Sequence, residues 1–248
     1  MRTNIASQTA IVTGGAKGFG AGITSALRSR CMNVWITGRD EAALKDAAKC
    51  TGAKYIRADV TSSADWDNVI ATVLEDSGRL DVLINNAGAG IRLGNLSDML
   101  DNEPAIRECI EVNLLGTIFG CARAVKAMQE QKPRGGLIIN MSSVCQRKGW
   151  SRFPVYSAAK AGVGQLSNCL YTSMREYGIR VTTLMPSLGN TEFFKKTNIP
   201  DLANKYSPSD FLQPEDIGEI VAFLCEQPPH VEIQDMTIWP IAQELDAF

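Results

Sequence analysis

Tyr156 and Lys160 are a phenol and an amine four residues apart, a combination suited to acid–base chemistry. They lie in the segment 142–160, which follows an apolar run at 137–141 and leads into an alanine-rich helical pattern. Residues four apart share one face of a helix. A free phenol has a pKa near ~10, and a neighbouring ammonium favours its ionised form. The pair could therefore act as a general acid and base, although this spacing alone is also typical of an ordinary amphipathic surface.

Predicted strands and predicted helices alternate along the chain, and together they must hold this pair in place. Apolar runs predict strands over 9–12, 33–37, 55–57, 81–84, 137–141, 179–185 and 236–239. Helical periodicity predicts one helix ending near 27 and others over 41–49, 61–76, 105–128, 156–177 and 214–224. Such alternation favours helices packed on a parallel sheet.

A glycine-rich turn separates the first predicted strand from the first predicted helix. Its sequence is Thr13-Gly-Gly-Ala-Lys-Gly-Phe-Gly20. Strand, turn and helix come in the order that places a pyrophosphate on backbone N–H groups at a helix N-terminus. Glycine-rich turns also serve merely as tight connections, so the turn needs the other motifs to indicate a cofactor.

Composition narrows the function classes. The chain has 248 residues, 45% of them hydrophobic, a formal net charge of -2 and a pI near 5.6, which does not favour a nucleic-acid partner. Seven cysteines without a Cys-x-x-Cys pair, and a single histidine, His230, favour neither a metal site nor a disulfide framework. Residues 1–6 lack a signal-peptide core and no apolar run is long enough to cross a bilayer, so we expect a cytoplasmic protein without a membrane partner.

Taken together, these motifs resemble the signature of the short-chain dehydrogenase/reductase family. The resemblance is carried by Tyr156-Ser-Ala-Ala-Lys160, by the preceding serine pair and by the glycine turn. It implies hydride transfer between a nicotinamide cofactor and a carbonyl or alcohol. It also implies that Ser143 polarises the substrate oxygen and that Lys160 lowers the phenol pKa and binds the nicotinamide ribose. Asn113 would then hold a water that connects the lysine to solvent, although a polar residue inside a helix is often only a satisfied kink.

The resemblance spans almost the whole chain and implies its architecture. We expect a single domain over 1–248 with an α/β fold, a doubly wound parallel sheet (Rossmann fold) of about seven strands with helices on both faces. A substrate lid is expected at roughly 187–213. The family forms homodimers or homotetramers through the helices predicted at 105–128 and 156–177, so a homo-oligomer is expected.

Cofactor choice depends on the end of the second strand. NAD-preferring members carry an acidic residue where this chain has Gly38, whereas Arg39 and Lys17 offer two cations for a 2′-phosphate. We therefore expect NADP(H) in preference to NAD(H). Two alternatives stay open: Arg39 could be solvated, and Asp40 could bind a ribose or cap the following helix.

Other positions match the cofactor site of the family. Asp59 could contact the adenine or belong to a strand-end turn, and Asn86 could serve mainly the backbone. Phe19 replaces the usual isoleucine, while Ser187 and Gly189 depart from the usual Pro-Gly-x-Val-x-Thr pattern. The full predicted set beyond the catalytic residues is Gly14, Lys17, Gly18, Phe19, Gly20, Arg39, Asp59, Val60, Asn86, Gly88, Pro186 and Thr191.

The same resemblance implies that the substrate is a small carbonyl compound or alcohol. Candidate pocket residues are aromatic or apolar, with arginines as partners for a carboxylate: Arg92, Cys145, Trp150, Phe153, Phe193 and Phe194, with Arg147 or Arg152. The C-terminal segment resembles NADP-dependent 3-hydroxy-acid and carbonyl reductases, which favours reduction of a small ketone, aldehyde or 3-oxo acid. Alternatives are an oxoacyl-carrier-protein or steroid-type reductase and, from another class, a non-catalytic NADP-binding redox sensor.

Overall fold

The computed structural model places seven strands in one parallel sheet. It describes residues 3–90, 96–150, 152–193 and 205–244. The strands are β1 (Thr9–Thr13), β2 (Asn33–Gly38), β3 (Lys54–Arg57), β4 (Val82–Asn85), β5 (Gly136–Met141), β6 (Ile179–Pro186) and β7 (Asp235–Ile238). Their order is β3-β2-β1-β4-β5-β6-β7, and every neighbouring pair is parallel.

Helices cover both faces of this sheet. They are α1 (Gly18–Ser29), α2 (Glu41–Thr51), α3 (Ser63–Ser77), α4 (Glu103–Ile110), α5 (Gly116–Glu130), α6 (Pro154–Met174) and α7 (Pro214–Cys225). Within β1, Ala10 and Val12 pack with α1 and α7 on one face, while Ile11 packs with α3 and α5 on the other. A strand buried on both faces reads as a continuous apolar run, which is why these segments are recognisable in the sequence.

The helix predicted over 105–128 is interrupted. A single π turn, Glu111–Leu115, separates α4 from α5. Asn113 lies in this turn, fully buried, and its Nδ2 donates to the carbonyl oxygens of Cys109 at 2.8 Å and Ala89 at 2.6 Å. A side chain that bonds the carbonyl four residues back competes with the backbone ladder, and π turns frequently occur at functional sites.

Other helix boundaries also differ from those predicted, and local residues explain those of α3 and α6. The helix expected from 61 begins at Ser63 because the Ser62 side chain accepts a hydrogen bond from the N–H of Asp65. The helix expected over 156–177 begins at Pro154, a residue suited to the first helical turn, and ends at Met174 before a short 3₁₀ turn. Among the described helices, none is both long and apolar enough for a bilayer span.

Candidate active site

The carboxyl ends of four adjacent strands bring the predicted site residues to one edge of the sheet. β1, β4, β5 and β6 are consecutive neighbours in the sheet. The segments that follow them carry the glycine turn, Gly88, Ser143 and Thr191. Ligands of open α/β sheets bind at this edge, where the strand order reverses beside the first strand.

Tyr156, Ser143 and Lys160 lie together at this edge. All three are buried, with exposed fractions of 9%, 7% and 4%. The Ser143 hydroxyl lies near enough to the Tyr156 hydroxyl to favour the ionised form of the phenol. The Lys160 Nζ donates to the carbonyl oxygen of Met141 at 2.7 Å and lies 5.6 Å from the centroid of the Tyr156 ring. The structure therefore assembles a phenol, a hydroxyl and an amine from two segments, the end of β5 and the start of α6.

Burial controls the protonation of the pair. It raises the pKa of the Tyr156 phenol above its usual value of 10 and lowers the pKa of the Lys160 amine from 10.5 to about 8. The nearby Ser143 hydroxyl acts in the opposite direction on the phenol pKa but does not overcome burial. Burial therefore dominates the phenol pKa, because desolvation disfavours the charged form of each group, and the lowering of this pKa by Lys160 stays a prediction.

Asn113 completes the predicted group of four catalytic residues. Its Oδ1 is buried and has no hydrogen-bond partner among the described residues. A Cβ at Gly88 would lie 3.0 Å from this oxygen and 3.9 Å from the Lys160 Nζ. Glycine at position 88 therefore keeps open a small space between an amide oxygen and an amine, as the predicted proton-resupply role of Asn113 requires.

The glycine turn fits a diphosphate. Gly14 and Gly18 have positive φ values of 64° and 51°, and a Cβ at Gly20 would lie 2.7 Å from Asn86 Nδ2 and closer to the Gly14 carbonyl oxygen. Helix α1 begins after Lys17 with no side-chain cap and no acidic residue in its first turn. Its first N–H groups are therefore suited to an anion.

Side chains near the adenosine end of this site also hold the backbone. Asn86 Nδ2 donates to the carbonyl oxygen of Thr13 at 2.8 Å, which ties the segment after β4 to the glycine turn. Asp59 Oδ1 accepts from the N–H and the hydroxyl of Thr61, both at 2.9 Å, and the carbonyl of Val60 accepts from the Trp66 indole. The strand-end turn described above as an alternative for Asp59 is present in the structure.

The two cations predicted for a 2′-phosphate both meet carboxylates. Lys17 Nζ lies 2.7 Å from Asp40 Oδ2, while Asp40 Oδ1 caps α2 by accepting from the N–H of Ala43. Arg39 contacts Glu108 at 3.2 Å and lies 4.0 Å from Asp59. No sequence pattern identifies Glu108 as a partner of Arg39, because Glu108 belongs to α4, far along the chain, and is part of no motif.

The loop after β6 is held by the C-terminal segment. Pro186 ends the strand, and Thr191 approaches the glycine turn, 3.2 Å from where a Cβ on Gly18 would be. The Ser187 hydroxyl donates to Gln243 Oε1 at 2.6 Å. The sequence offered a sign of this contact only through the unusual serine at position 187 and the Pro-x-x-Gln that ends at Gln243.

The predicted substrate pocket is largely aromatic where it is described. Tyr156 lies 5.4 Å from Phe193 and 6.4 Å from Phe153, measured between ring centroids, and Cys145 and Trp150 belong to the same apolar cluster. Arg147 forms an ion pair with Asp235 at 2.6 Å and Arg152 is exposed, whereas Arg92 and Phe194 lie outside the described residues.

The family assignment follows from comparison with known proteins. A family model described as short chain dehydrogenase matches residues 8–201. The chain belongs to the short-chain dehydrogenase family. It is therefore an oxidoreductase of that family, and the resemblance inferred from the motifs is confirmed, as is the predicted sheet architecture.

This short-chain dehydrogenase has similar relatives along its whole length. An uncharacterized oxidoreductase of Staphylococcus aureus strain USA300 is 28% identical over 244 residues, covering 96% of this chain and 100% of the relative. Another from Staphylococcus saprophyticus is 29% identical over 240 residues, covering 94% and 97%. These relatives support the family and the reaction class.

Two solved structures are similar to this short-chain dehydrogenase. The closed form of a serine dehydrogenase complexed with NADP+ has a TM-score of 0.89 and 27% identity, covering 96% of this chain and 97% of its own. An alcohol dehydrogenase from the archaeon Thermococcus sibiricus complexed with 5-hydroxy-NADP has a TM-score of 0.83 and 24% identity, covering 97% and 99%. The second likeness shows the fold alone.

Proposed function

We propose that this chain is an NADP(H)-dependent oxidoreductase that interconverts a carbonyl and a secondary alcohol, acting as a carbonyl reductase. The observation that carries the proposal is the burial of the Tyr156 phenol together with the Ser143 hydroxyl and the Lys160 amine at one edge of the sheet. A phenol whose pKa burial raises is a proton donor across the neutral range. Such a donor suits an oxygen that becomes an alkoxide when the adjoining carbon is reduced.

Each residue then has a role defined by its position. NADPH, when bound, supplies the hydride to the carbonyl carbon. Ser143 and Tyr156 hold the carbonyl oxygen, and the Tyr156 hydroxyl gives up its proton to it. Lys160, fixed by Met141, binds the nicotinamide ribose through its amine, and Asn113 takes part in returning a proton from solvent. Oxidation of the alcohol uses the same groups in reverse.

The proposed preference for NADP(H) is supported by Lys17 and Arg39. Both side chains are exposed; Arg39 directly follows Gly38 at the end of β2, and Lys17 contacts Asp40, the next residue. Their present partners, Asp40 and Glu108, are themselves exposed, and exposed ion pairs contribute only about 0–1 kcal/mol. A 2′-phosphate of charge near ~-2 can therefore compete for both cations. A related serine dehydrogenase is described as complexed with NADP+.

The proposed substrate is a small ketone, aldehyde or 3-oxo acid. Among these, the contacts of Tyr156 with Phe153 and Phe193 favour a carbonyl that carries an apolar group. A buried carboxylate needs a charged partner, and Arg147 is an exposed side chain that contacts Asp235. Neutral ketones and aldehydes are therefore expected to exceed 3-oxo acids of the same size in kcat/KM.

The experiment is NADPH oxidation followed against a panel of aldehydes, ketones, 3-oxo acids and steroids. Tyr156→Phe is expected to abolish turnover while NADPH binding, followed by fluorescence, stays unchanged, because the ring remains and only the proton is lost. Tyr171→Phe, on the same helix α6 but away from the site, is the matched control and is expected to retain activity. Full turnover by Tyr156→Phe, or no oxidation of NADPH by any carbonyl, would contradict the proposal.

We also propose a cytoplasmic homodimer or homotetramer that binds neither nucleic acid nor membrane. The net charge of -2 supports the absence of a nucleic-acid partner. The assembly would use α4, α5 and α6, the helices through which the family associates. Light scattering of the purified chain measures the assembly, and a monomer at micromolar concentration would contradict it.

A further inference from the structure

The loop that follows β6 is fixed by backbone contacts with the segment that precedes α7. The N–H of Leu212 donates to the carbonyl of Leu188 at 3.0 Å, and the N–H of Asn190 donates to the carbonyl of Leu212 at 2.9 Å. Gly189 thereby pairs with Leu212 in a short parallel bridge. Together with the hydrogen bond from Ser187 to Gln243, these contacts define the position of the loop 187–191 on one side.

Phe19 contacts the same loop at Gly189. A Cβ at Gly189 would lie 2.7 Å from Phe19 Cε1 and closer still to Phe19 Cζ, where real Cβ atoms essentially never lie. The three atoms nearest to that Cβ position all belong to the Phe19 ring. The ring therefore occupies the volume that any side chain at position 189 would need.

The backbone does not itself demand glycine at position 189. Gly14 and Gly18 have positive φ values, but Gly189 is not among the described glycines with positive φ. Its conformation is therefore open to any residue. The requirement for glycine comes from the Phe19 ring alone, and the two departures from the family pattern noted in the sequence, at positions 19 and 189, are in contact.

We propose that Phe19 and Gly189 are a matched pair that sets the separation between the diphosphate turn and the loop facing the nicotinamide. Phe19 lies between Gly18 and Gly20 of the turn, so its ring joins the two halves of the cofactor site. Thr191 adds a second contact between the same segments, against Gly18. Phe19 is thus a positioning residue for the nicotinamide end, and this inference rests on the cofactor site proposed above.

The test is a double-mutant cycle with Gly189→Ala, Phe19→Ile and the combined variant. In the wild-type background, the added methyl group must displace the ring or the loop, so the Kd for NADPH is expected to rise about tenfold. In the Phe19→Ile background the same change is expected to alter the Kd by less than about twofold, because the obstructing ring is gone. Phe19→Ile alone is expected to weaken NADPH binding about threefold through lost support of the loop.

The ligand 2′,5′-ADP separates positioning from general damage. It contains the adenosine end of the cofactor but no nicotinamide, so its Kd is expected to stay within about twofold of wild type in Gly189→Ala. Equal loss of 2′,5′-ADP and NADPH binding would overturn the proposal, as would the same effect of Gly189→Ala in both backgrounds. If Gly189→Ala fails to fold, restored folding in the combined variant supports the matched pair. If the combined variant also fails to fold, Phe19→Ile alone decides, and an unchanged Kd for NADPH in that variant overturns the proposal.

Failure of the underlying function has a different signature. Wild-type protein that binds no NADPH in the fluorescence titration refutes the proposed cofactor, whatever the variants do. Wild-type binding with additive effects of the two substitutions refutes only the matched pair.

Discussion

Replacing Lys160 with methionine is expected to stabilise the fold while abolishing activity. Burial lowers the pKa of this amine from 10.5 to about 8. Since one pKa unit corresponds to ~1.4 kcal/mol, the buried ammonium destabilises the folded state by about 3 kcal/mol below pH 8. Methionine removes this cost but also loses the hydrogen bond to Met141, which contributes about 1 kcal/mol. The net gain in the free energy of unfolding is therefore about 2 kcal/mol near pH 7.

The pH dependence of this gain follows from the direction of the pKa shift. Between pH 8 and pH 10.5 the unfolded chain retains a proton on Lys160 that the folded chain has released. Wild-type stability therefore gains from rising pH in this window, relative to a variant without the amine. We expect the advantage of the variant to disappear by about pH 10.5.

Urea unfolding at pH 7 and at pH 10, with the free energy of unfolding extrapolated to water, measures both the stability gain and its dependence on pH. Lys126→Met is the matched control, because Lys126 is exposed on α5, and it is expected to change stability by less than about 0.5 kcal/mol at either pH. A Lys160→Met protein less stable than wild type at pH 7 would refute the reasoning. A difference from wild type that does not change with pH would refute it equally.

Three further predictions concern the reaction, the cofactor and the packing. The kcat/KM for carbonyl reduction is expected to fall as pH rises through about 8, because Lys160 loses its proton; a pH–rate profile that is flat to pH 10 would exclude this. Glu108→Gln is expected to release Arg39 and so to lower the KM for NADPH about threefold, with no effect on the KM for NADH. Arg39→Ala is expected to raise the KM for NADPH at least about tenfold. Equal effects of these substitutions on the KM values of both cofactors would disprove the assignment of Arg39 to the 2′-phosphate. Gly22→Ala is expected to cost at least about 2 kcal/mol, because its Cβ would lie 2.9 Å from Pro214 Cβ and closer to the Pro214 carbonyl oxygen; unchanged urea unfolding would contradict this close contact of α1 and α7.

The strands were predictable because their environment is simple. Ile11, Leu83 and Ile138 are fully buried in a sheet covered on both faces, so their segments are continuous apolar runs. The helix boundaries were harder to predict from the sequence. Asn113 forms a π turn because its amide can reach two carbonyl groups, one of them at Ala89 on a distant segment, and no local pattern contains that information.

The pKa shifts of Tyr156 and Lys160 could not be predicted without the tertiary structure either. The spacing of Tyr156 and Lys160 indicates that an ammonium lies near a phenol, and nearby opposite charge favours ionisation. The folded chain adds burial, which acts on both groups and dominates the phenol pKa. The degree of desolvation depends on packing around the pair, including Phe153 and Phe193, which the sequence alone does not specify.

Short motifs and local periodicity encode the family, the sheet and the four residues grouped at its edge, so these could be predicted without coordinates. The partners that those residues meet follow from the folded chain. Glu108 beside Arg39, Gln243 beside Ser187 and the Phe19 ring against Gly189 join segments far apart in the chain. Such contacts depend on where the loops converge in space, and that convergence is a property of the whole fold.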